Sequence, residues 1–300
     1  MGNILGKIWN FIKLSRVQFL LGGFLLYALG AAAATRMVNV NWAAYWLGQA
    51  AITSIQLMAQ YLNEYYDREV DSLAENKRTW FSGGSGILSE GSISPKTILY
   101  ASRICLTIAI LASAMAFYLF SWMMPIIIIS LFGSWFYSSP PISLMSSGWG
   151  ELTTSIIVAL LVPLAGCIMQ GGYPTTELLL VCIPLILVHV AMLISFEFPD
   201  CEVDQLVGKK TLTVRLGFKK TIWVADLLIA SSIAFVAVLF IFSKYVAGWM
   251  GWVFPLAIWQ MVMMHKVINS PTRKHYSLLT AGGVGLFSIM AILAFFGFIL

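Results

Sequence analysis

The sequence predicts an all-α membrane protein: nine transmembrane helices, arranged as two four-helix repeats plus one, around a central cavity. Three observations carry that expectation. The 300 residues are 59% hydrophobic and only 10% charged, with a mean hydropathy of +0.86, where a soluble domain carries about 25% charged residues. Apolar runs long enough to cross about 30 Å of hydrocarbon recur along the whole chain. One acidic phrase is written twice in the same register, first from Glu64 and again from Glu197.

The apolar runs lie near residues 17–35, 43–63, 98–120, 122–138, 152–170, 178–196, 222–242, 246–265 and 278–300. The third and fourth are separated by little more than a turn, which predicts a tight hairpin. The first lacks an A-x-A-like exit into a soluble domain, so no cleavable signal peptide is expected. Residues 1–300 are read as one transmembrane domain. Cys105, Cys167, Cys182 and Cys201 show no paired or metal-like spacing and are expected to be small hydrophobes.

Orientation follows from the basic residues. With the N-terminus in the cytoplasm, Lys7, Lys13, Arg16, Arg68, Lys77, Arg78, Lys96, Arg103, Lys209, Lys210, Arg215, Lys219, Lys220, Lys266, Arg273 and Lys274 fall inside. Only Arg36 and Lys244 fall outside, 2 of the 18. Such a bias predicts a cytoplasmic N-terminus and an outer C-terminus. It also accounts for the net charge of +5 through topology, leaving no reason to expect nucleic acid as a partner. Both acidic phrases then sit at the cytoplasmic ends of spans two and six.

Those phrases are Glu64, Asp67, Glu69, Asp71 and Glu197, Asp200, Glu202, Asp204, which together hold 8 of the 13 carboxylates. Residues i and i+4 share one helix face, so Asp67 stands over Asp71 and Asp200 over Asp204. Asn63 adds an oxygen one turn before Asp67. Stacked like charges destabilise a bare helix, and hard oxygen ligands suit Mg²⁺. Lys77-Arg78 follows the first phrase and Lys209-Lys210 the second, so the repeat extends beyond the carboxylates. Two aspartate pairs facing one cavity can hold Mg²⁺ ions that clamp a diphosphate, with Lys77, Arg78, Lys209 and Lys210 neutralising its remaining charge. A diphosphate beside an apolar tunnel points to a polyprenyl diphosphate. Its departure leaves an allylic cation, which needs a dry cavity and aromatic faces.

The loops on that side are turn-rich. Residues 72–97 contain Ser82-Gly83-Gly84-Ser85-Gly86, whose glycines can bring backbone N–H groups close to a phosphate. Residues 138–151 form a second loop, with no basic residue. His189, two turns before Glu197, is read as a packed, hydrogen-bonded histidine.

These residues resemble the UbiA superfamily of intramembrane prenyltransferases. Its N-x-x-x-D-x-x-x-D motif is matched by Asn63, Asp67 and Asp71. Its D-x-x-x-D motif with the following G-K-x-T-L-x-V-R-L-G is matched by Asp200, Asp204 and Gly208 through Gly217. Tyr137-Ser138-Ser139-Pro140-Pro141 with Gly148, Gly150 and Glu151 is similar to the loop after the family's fourth helix. The S-G-G-S-G loop is similar to that of the branch that prenylates 1,4-dihydroxy-2-naphthoate for menaquinone. The resemblance spans roughly residues 16–220. It implies nine helices around a cavity, aspartates that bind prenyl diphosphate through Mg²⁺, a cavity tyrosine at Tyr137 and a basic residue at Arg16. Two departures stand out: Glu64 where an Asp is common, and Leu144 to Ser147 without the basic residues often found there. Holding an acceptor carboxylate then falls to Lys77, Arg78 or Arg16.

The expected activity is transfer of a polyprenyl group to an aromatic acceptor by an enzyme embedded in the lipid bilayer. Other acceptors compatible with the same donor site are 4-hydroxybenzoate, a chlorophyll or haem precursor, and a glycerol phosphate lipid. Repeated helices with carboxylates also suit a cation-coupled transporter, but transporter carboxylates sit mid-span on broken helices. Here they lie at helix ends beside paired basic residues.

Overall fold

The computed structural model describes residues 4–300, with the side chains of residues 4, 5 and 7 excepted, so the side chain of Lys7 lies outside the described part. Every element in it is helical. A short α1 (Ile4–Leu14) leads through Arg16 into α2 (Val17–Ala34). Then come α3 (Trp42–Leu73), α4 (Pro95–Leu119) and α5 (Met123–Phe136). α6 (Gly150–Ile156) continues through a π-helical turn, Ile157–Leu161, into α7 (Val162–Ile168). α8 (Thr176–Leu206), the short α9 (Leu212–Leu216) and α10 (Phe218–Phe242) follow. α11 (Lys244–Met250) joins α12 (Phe254–Asn269) through a 3₁₀ turn, and α13 (Arg273–Ile299) closes the chain.

Among the described residues, seven helical stretches are long and apolar enough to cross a membrane: α2, α4, α6 to α7, α8, α10, α11 to α12 and α13. They coincide with seven of the nine expected spans. The other two behave differently for physical reasons. α3 has 32 residues, but Gln49, Gln56, Gln60 and Asn63 interrupt its uncharged stretch and lower its hydropathy below that of the other spans. α5 has 14 residues, short of the roughly 20 that cross a bilayer core at full thickness. The turn between α4 and α5 is tight, as the sequence predicts. The outer faces are apolar, with side chains such as Leu111, Trp122 and Ile241 exposed, as an integral membrane protein requires in a solvent of lipid tails.

Caps start the helices where the sequence offers them. Asn41, Ser94, Thr175 and Thr272 each accept a backbone N–H three residues on, at the starts of α3, α4, α8 and α13. Pro95 takes the first position of α4, where its missing N–H is harmless.

Helices in lipid gain no hydrophobic drive against each other and pack through small residues instead. α2 and α7 meet in this way. A Cβ at Gly30 would run into the Pro163 carbonyl, and one at Gly166 into the carbonyl of Tyr27. One large buried core runs through the bundle, from Leu26 and Tyr27 on α2 to Phe298 on α13. A smaller cluster of Leu14, Tyr61, Ile87, Ile93 and Ile98 clamps the loop at 78–94 onto α3 and α4. All four cysteines are free.

Candidate functional site

The two longest helices bring the acidic phrases together. α3 and α8 carry them in their final turns, and Asp67, Asp71, Asp200 and Asp204 all line one cavity of about 320 Å³. Asn63, Arg16, Tyr137 and Lys209 share that lining. Lys209 joins the halves: its Nζ lies 2.9 Å from Asp67 Oδ1 and 3.6 Å from Asp204 Oδ1. The lysine side chain is only 12% exposed. Burial alone would pull its ammonium down in pKa. The carboxylates of Asp67 and then Asp204 outweigh burial and hold it above the ordinary lysine value.

The other polar groups hold this arrangement in place. Asn63 donates its amide N–H to Asp67 and, at 3.0 Å, to Ser138 Oγ, tying α3 to the loop after α5. Glu64 is buried and accepts the Ser85 backbone N–H and the Ser85 hydroxyl, both at 2.7 Å. It thus anchors the glycine loop and does not line the cavity. Gly84, at φ 69°, turns its Cα toward Asp71, where any Cβ would strike the carboxylate. Ser82, Gly83 and Gly84 therefore form part of the cavity wall, as the loop's composition suggests. Thr79 and Arg78 pin this loop to α13 through Thr280 at 3.3 Å and Arg273 at 3.2 Å.

The remaining basic residues divide sharply. Arg16 has a left-handed backbone (φ 41°), lies 4.7 Å from the centre of the Phe19 ring, and donates to the Phe81 carbonyl at 2.9 Å. It stands at the cavity. Lys77 pairs with Glu202 instead. Arg78 folds under the glycine loop and donates to the Gly83 carbonyl at 2.7 Å. Lys210 is exposed, and only its backbone N–H reaches the facing loop, at Ser146 O, 2.8 Å. Among the described residues, the cavity lining thus takes Lys209 from the two basic pairs and omits Lys77, Arg78 and Lys210. Arg215, in the motif after α8, donates to the Ser147 carbonyl at 2.6 Å, placing a positive charge beside the loop that lacks one of its own.

The phenyl rings of Phe19, Phe81 and Phe196 pack together with centroids 6.0 to 6.2 Å apart and line the same cavity. His189 shares a 2.8 Å hydrogen bond with Ser155 and sits edge-on to Phe287 at 4.6 Å, a packed histidine as expected. Sequence reasoning missed Gln60, whose amide is buried without a partner among the described residues, and Thr211; both line the cavity. Gln60 lies three residues before Asn63 on one helix face, a spacing that could have revealed it.

The donor set fits a hard divalent cation. It is all oxygen, and Asp200 Oδ1 is buried with no hydrogen-bond partner among the described residues. The Lys209 ammonium already shows that positive charge is accommodated between the two phrases. Among the described residues, no group of three or more His, Cys, Asp or Glu side chains is drawn close enough to hold a metal alone. That suits Mg²⁺, which commonly takes one or two carboxylates and completes its shell with waters and substrate phosphates.

The sequence model of the UbiA prenyltransferase family matches residues 23–281. The chain is 27% identical over 251 residues to the 1,4-dihydroxy-2-naphthoate octaprenyltransferase of Bacillus subtilis (strain 168), covering 83% of this chain and 75% of that protein. Among solved structures, a UbiA homolog from Archaeoglobus fulgidus bound to DMAPP and Mg²⁺ superposes with a TM-score of 0.65 at 19% identity, covering 94% of this chain and 99% of the other. The apo UbiA homolog of Aeropyrum pernix K1 gives 0.65 at 14% identity, covering 93% and 96%. At these identities the two structures share the fold.

Proposed function

The chain belongs to the UbiA prenyltransferase family, and from that premise we propose that it transfers a polyprenyl group from its diphosphate to 1,4-dihydroxy-2-naphthoate in menaquinone-type quinone synthesis. One observation carries the donor half: two aspartate pairs from separate helices converge on a single cavity, bridged by Lys209. The acceptor half rests on the likeness to the Bacillus subtilis enzyme and on the S-G-G-S-G loop.

Asp67, Asp71, Asp200 and Asp204, with Asn63, would hold Mg²⁺, the ion bound with DMAPP in the Archaeoglobus fulgidus homolog. When bound, Mg²⁺ supplies Lewis-acid neutralisation of the diphosphate. Lys209 meets the diphosphate as a point charge, released from Asp67 as the substrate's oxygens arrive. Arg16 stands at the cavity to balance charge on donor or acceptor. The Phe19, Phe81 and Phe196 rings keep water away and offer π faces to the cation left when diphosphate departs. Tyr137 lines the wall on the acceptor's side. Lys77, Arg78 and Lys210 act from outside the cavity, as topology signals and loop anchors.

Acceptor choice tests the reading. Purified protein with Mg²⁺ and a radiolabelled prenyl diphosphate should use 1,4-dihydroxy-2-naphthoate at least about tenfold more efficiently than 4-hydroxybenzoate, about 1.4 kcal/mol in the transition state. A preference for 4-hydroxybenzoate, or use of a glycerol phosphate lipid alone, would sink the branch assignment and leave family membership standing.

We further propose that α3 and α5 complete nine spans, in two four-helix repeats plus α13, with the N-terminus and both acidic phrases cytoplasmic. The basic-residue bias supports this orientation. Single cysteines in loops 72–97 and 205–220 of a cysteine-free variant should react with impermeant thiol reagents only from the cytoplasmic side. Labelling of either loop from outside intact cells overturns it.

A further inference from the structure

The cavity carries a third acidic pair that donor binding leaves unused. Glu151, at the start of α6, and Glu197, three residues before Asp200 on α8, both line it and are 7% and 9% exposed. Glu197 Oε2 accepts the Thr213 N–H at 2.7 Å. Its Oε1 is buried and has no hydrogen-bond partner among the described residues.

Two hydroxyls point to a missing ligand rather than to packing. Thr211 Oγ1, on the loop between α8 and α9, belongs to a residue 3% exposed, and Ser130 Oγ, on α5, to one 1% exposed. Both residues line this cavity, and neither hydroxyl has a partner among the described residues. Buried polar atoms are rarely left unpaired, and a ligand bearing hydroxyl groups would satisfy them.

Resting on the prenyl-transfer reading above, we propose that Glu151 and Glu197 form the acceptor subsite, binding a hydroxyl of the acceptor and taking its proton as the ring is alkylated. A carboxylate with an unpartnered oxygen facing the cavity can accept the hydrogen bond of a bound hydroxyl and then its proton. In the step, a π electron pair of the hydroxyaromatic ring forms the new carbon–carbon bond at the allylic carbon. The allylic carbon–oxygen bond breaks, and its electron pair leaves on the diphosphate. The hydroxyl proton passes to the carboxyl pair, and the ring is left as a neutral ketone. Negative charge in the same cavity also favours positive charge on the allylic carbon. His189 is poorly placed for the task, because its Nδ1 is engaged with Ser155.

Glu151→Gln and Glu197→Gln test the pair, because each keeps shape and hydrogen-bonding capacity but cannot take the proton. Each should lower kcat/KM for the hydroxyaromatic acceptor by about a hundredfold or more, the scale of a lost general base. Each should still bind a non-ionising prenyl S-thiolodiphosphate with Mg²⁺ within about twofold of wild type, which shows an intact fold and donor site. Aspartate at either position should recover part of the loss. Retention of more than a third of wild-type turnover overturns the proposal, and so does a matching loss of analogue binding. The acceptor used is whichever of 1,4-dihydroxy-2-naphthoate or 4-hydroxybenzoate the wild type prenylates better. A wrong acceptor assignment therefore shows in the wild type, and a wrong subsite only in the variants.

Discussion

Alanine at Asp67 or at Asp200 is expected to lower prenyl transfer by about a hundredfold or more, roughly 3 kcal/mol of transition-state stabilisation. The two residues stand on different helices and fail for related reasons. Asp200 holds a buried oxygen without a protein partner, poised for a cation. Asp67 is the closest contact of Lys209, at 2.9 Å, and the acceptor for Asn63. Chelation by EDTA should produce the same loss in the wild type, and Mg²⁺ should restore the wild type but neither variant. Removing Asp67 also leaves the buried ammonium with Asp204 alone, at 3.6 Å, a change that destabilises by itself. Asp67→Asn preserves shape, and comparing its melting temperature with that of the alanine variant separates folding from catalysis. More than about a tenth of wild-type rate in either alanine variant would be incompatible with a metal clamp built from both phrases.

The largest effect on stability is expected at Gly30→Leu. Gly30 faces the Pro163 carbonyl so closely that even a methyl group would collide with backbone. No rotamer relieves a clash at Cβ, so α2 and α7 must separate along a contact built on small residues. The expected cost is about 3 kcal/mol, read as a melting temperature at least about 5 °C lower in detergent, with reduced accumulation in the membrane. Gly22→Leu is the control, because a Cβ there meets nothing within 4 Å. Equal melting of the two variants would show that the α2–α7 approach is not tight.

Much of the donor site was legible in the sequence because its logic is local. Four residues of spacing on a helix put Asp67 over Asp71 and Asp200 over Asp204 whatever the surrounding fold. Both pairs line the cavity. Hydropathy likewise marks seven stretches able to span a membrane, since burial in lipid demands continuous apolar helix. The roles of the basic residues were less legible. Lys77, Arg78, Lys209 and Lys210 occupy equivalent places in a repeated pattern, yet of these Lys209 alone lines the cavity. Sequence spacing also places Glu64 among the acidic phrase, whereas the fold assigns it to Ser85 of the glycine loop.

The sequence by itself therefore determined that this protein is an all-helical membrane protein with two equivalent carboxylate faces, because hydropathy and helical spacing act over one helix at a time. Tertiary structure alone decided which cation bridges those faces and which loop closes over them. It also brought Glu151 and Glu197, 46 residues apart in sequence, to one cavity. Those outcomes depend on how far helices approach and where loops cross. Both are set by contacts such as Gly30 against Pro163, which join residues that no local pattern relates.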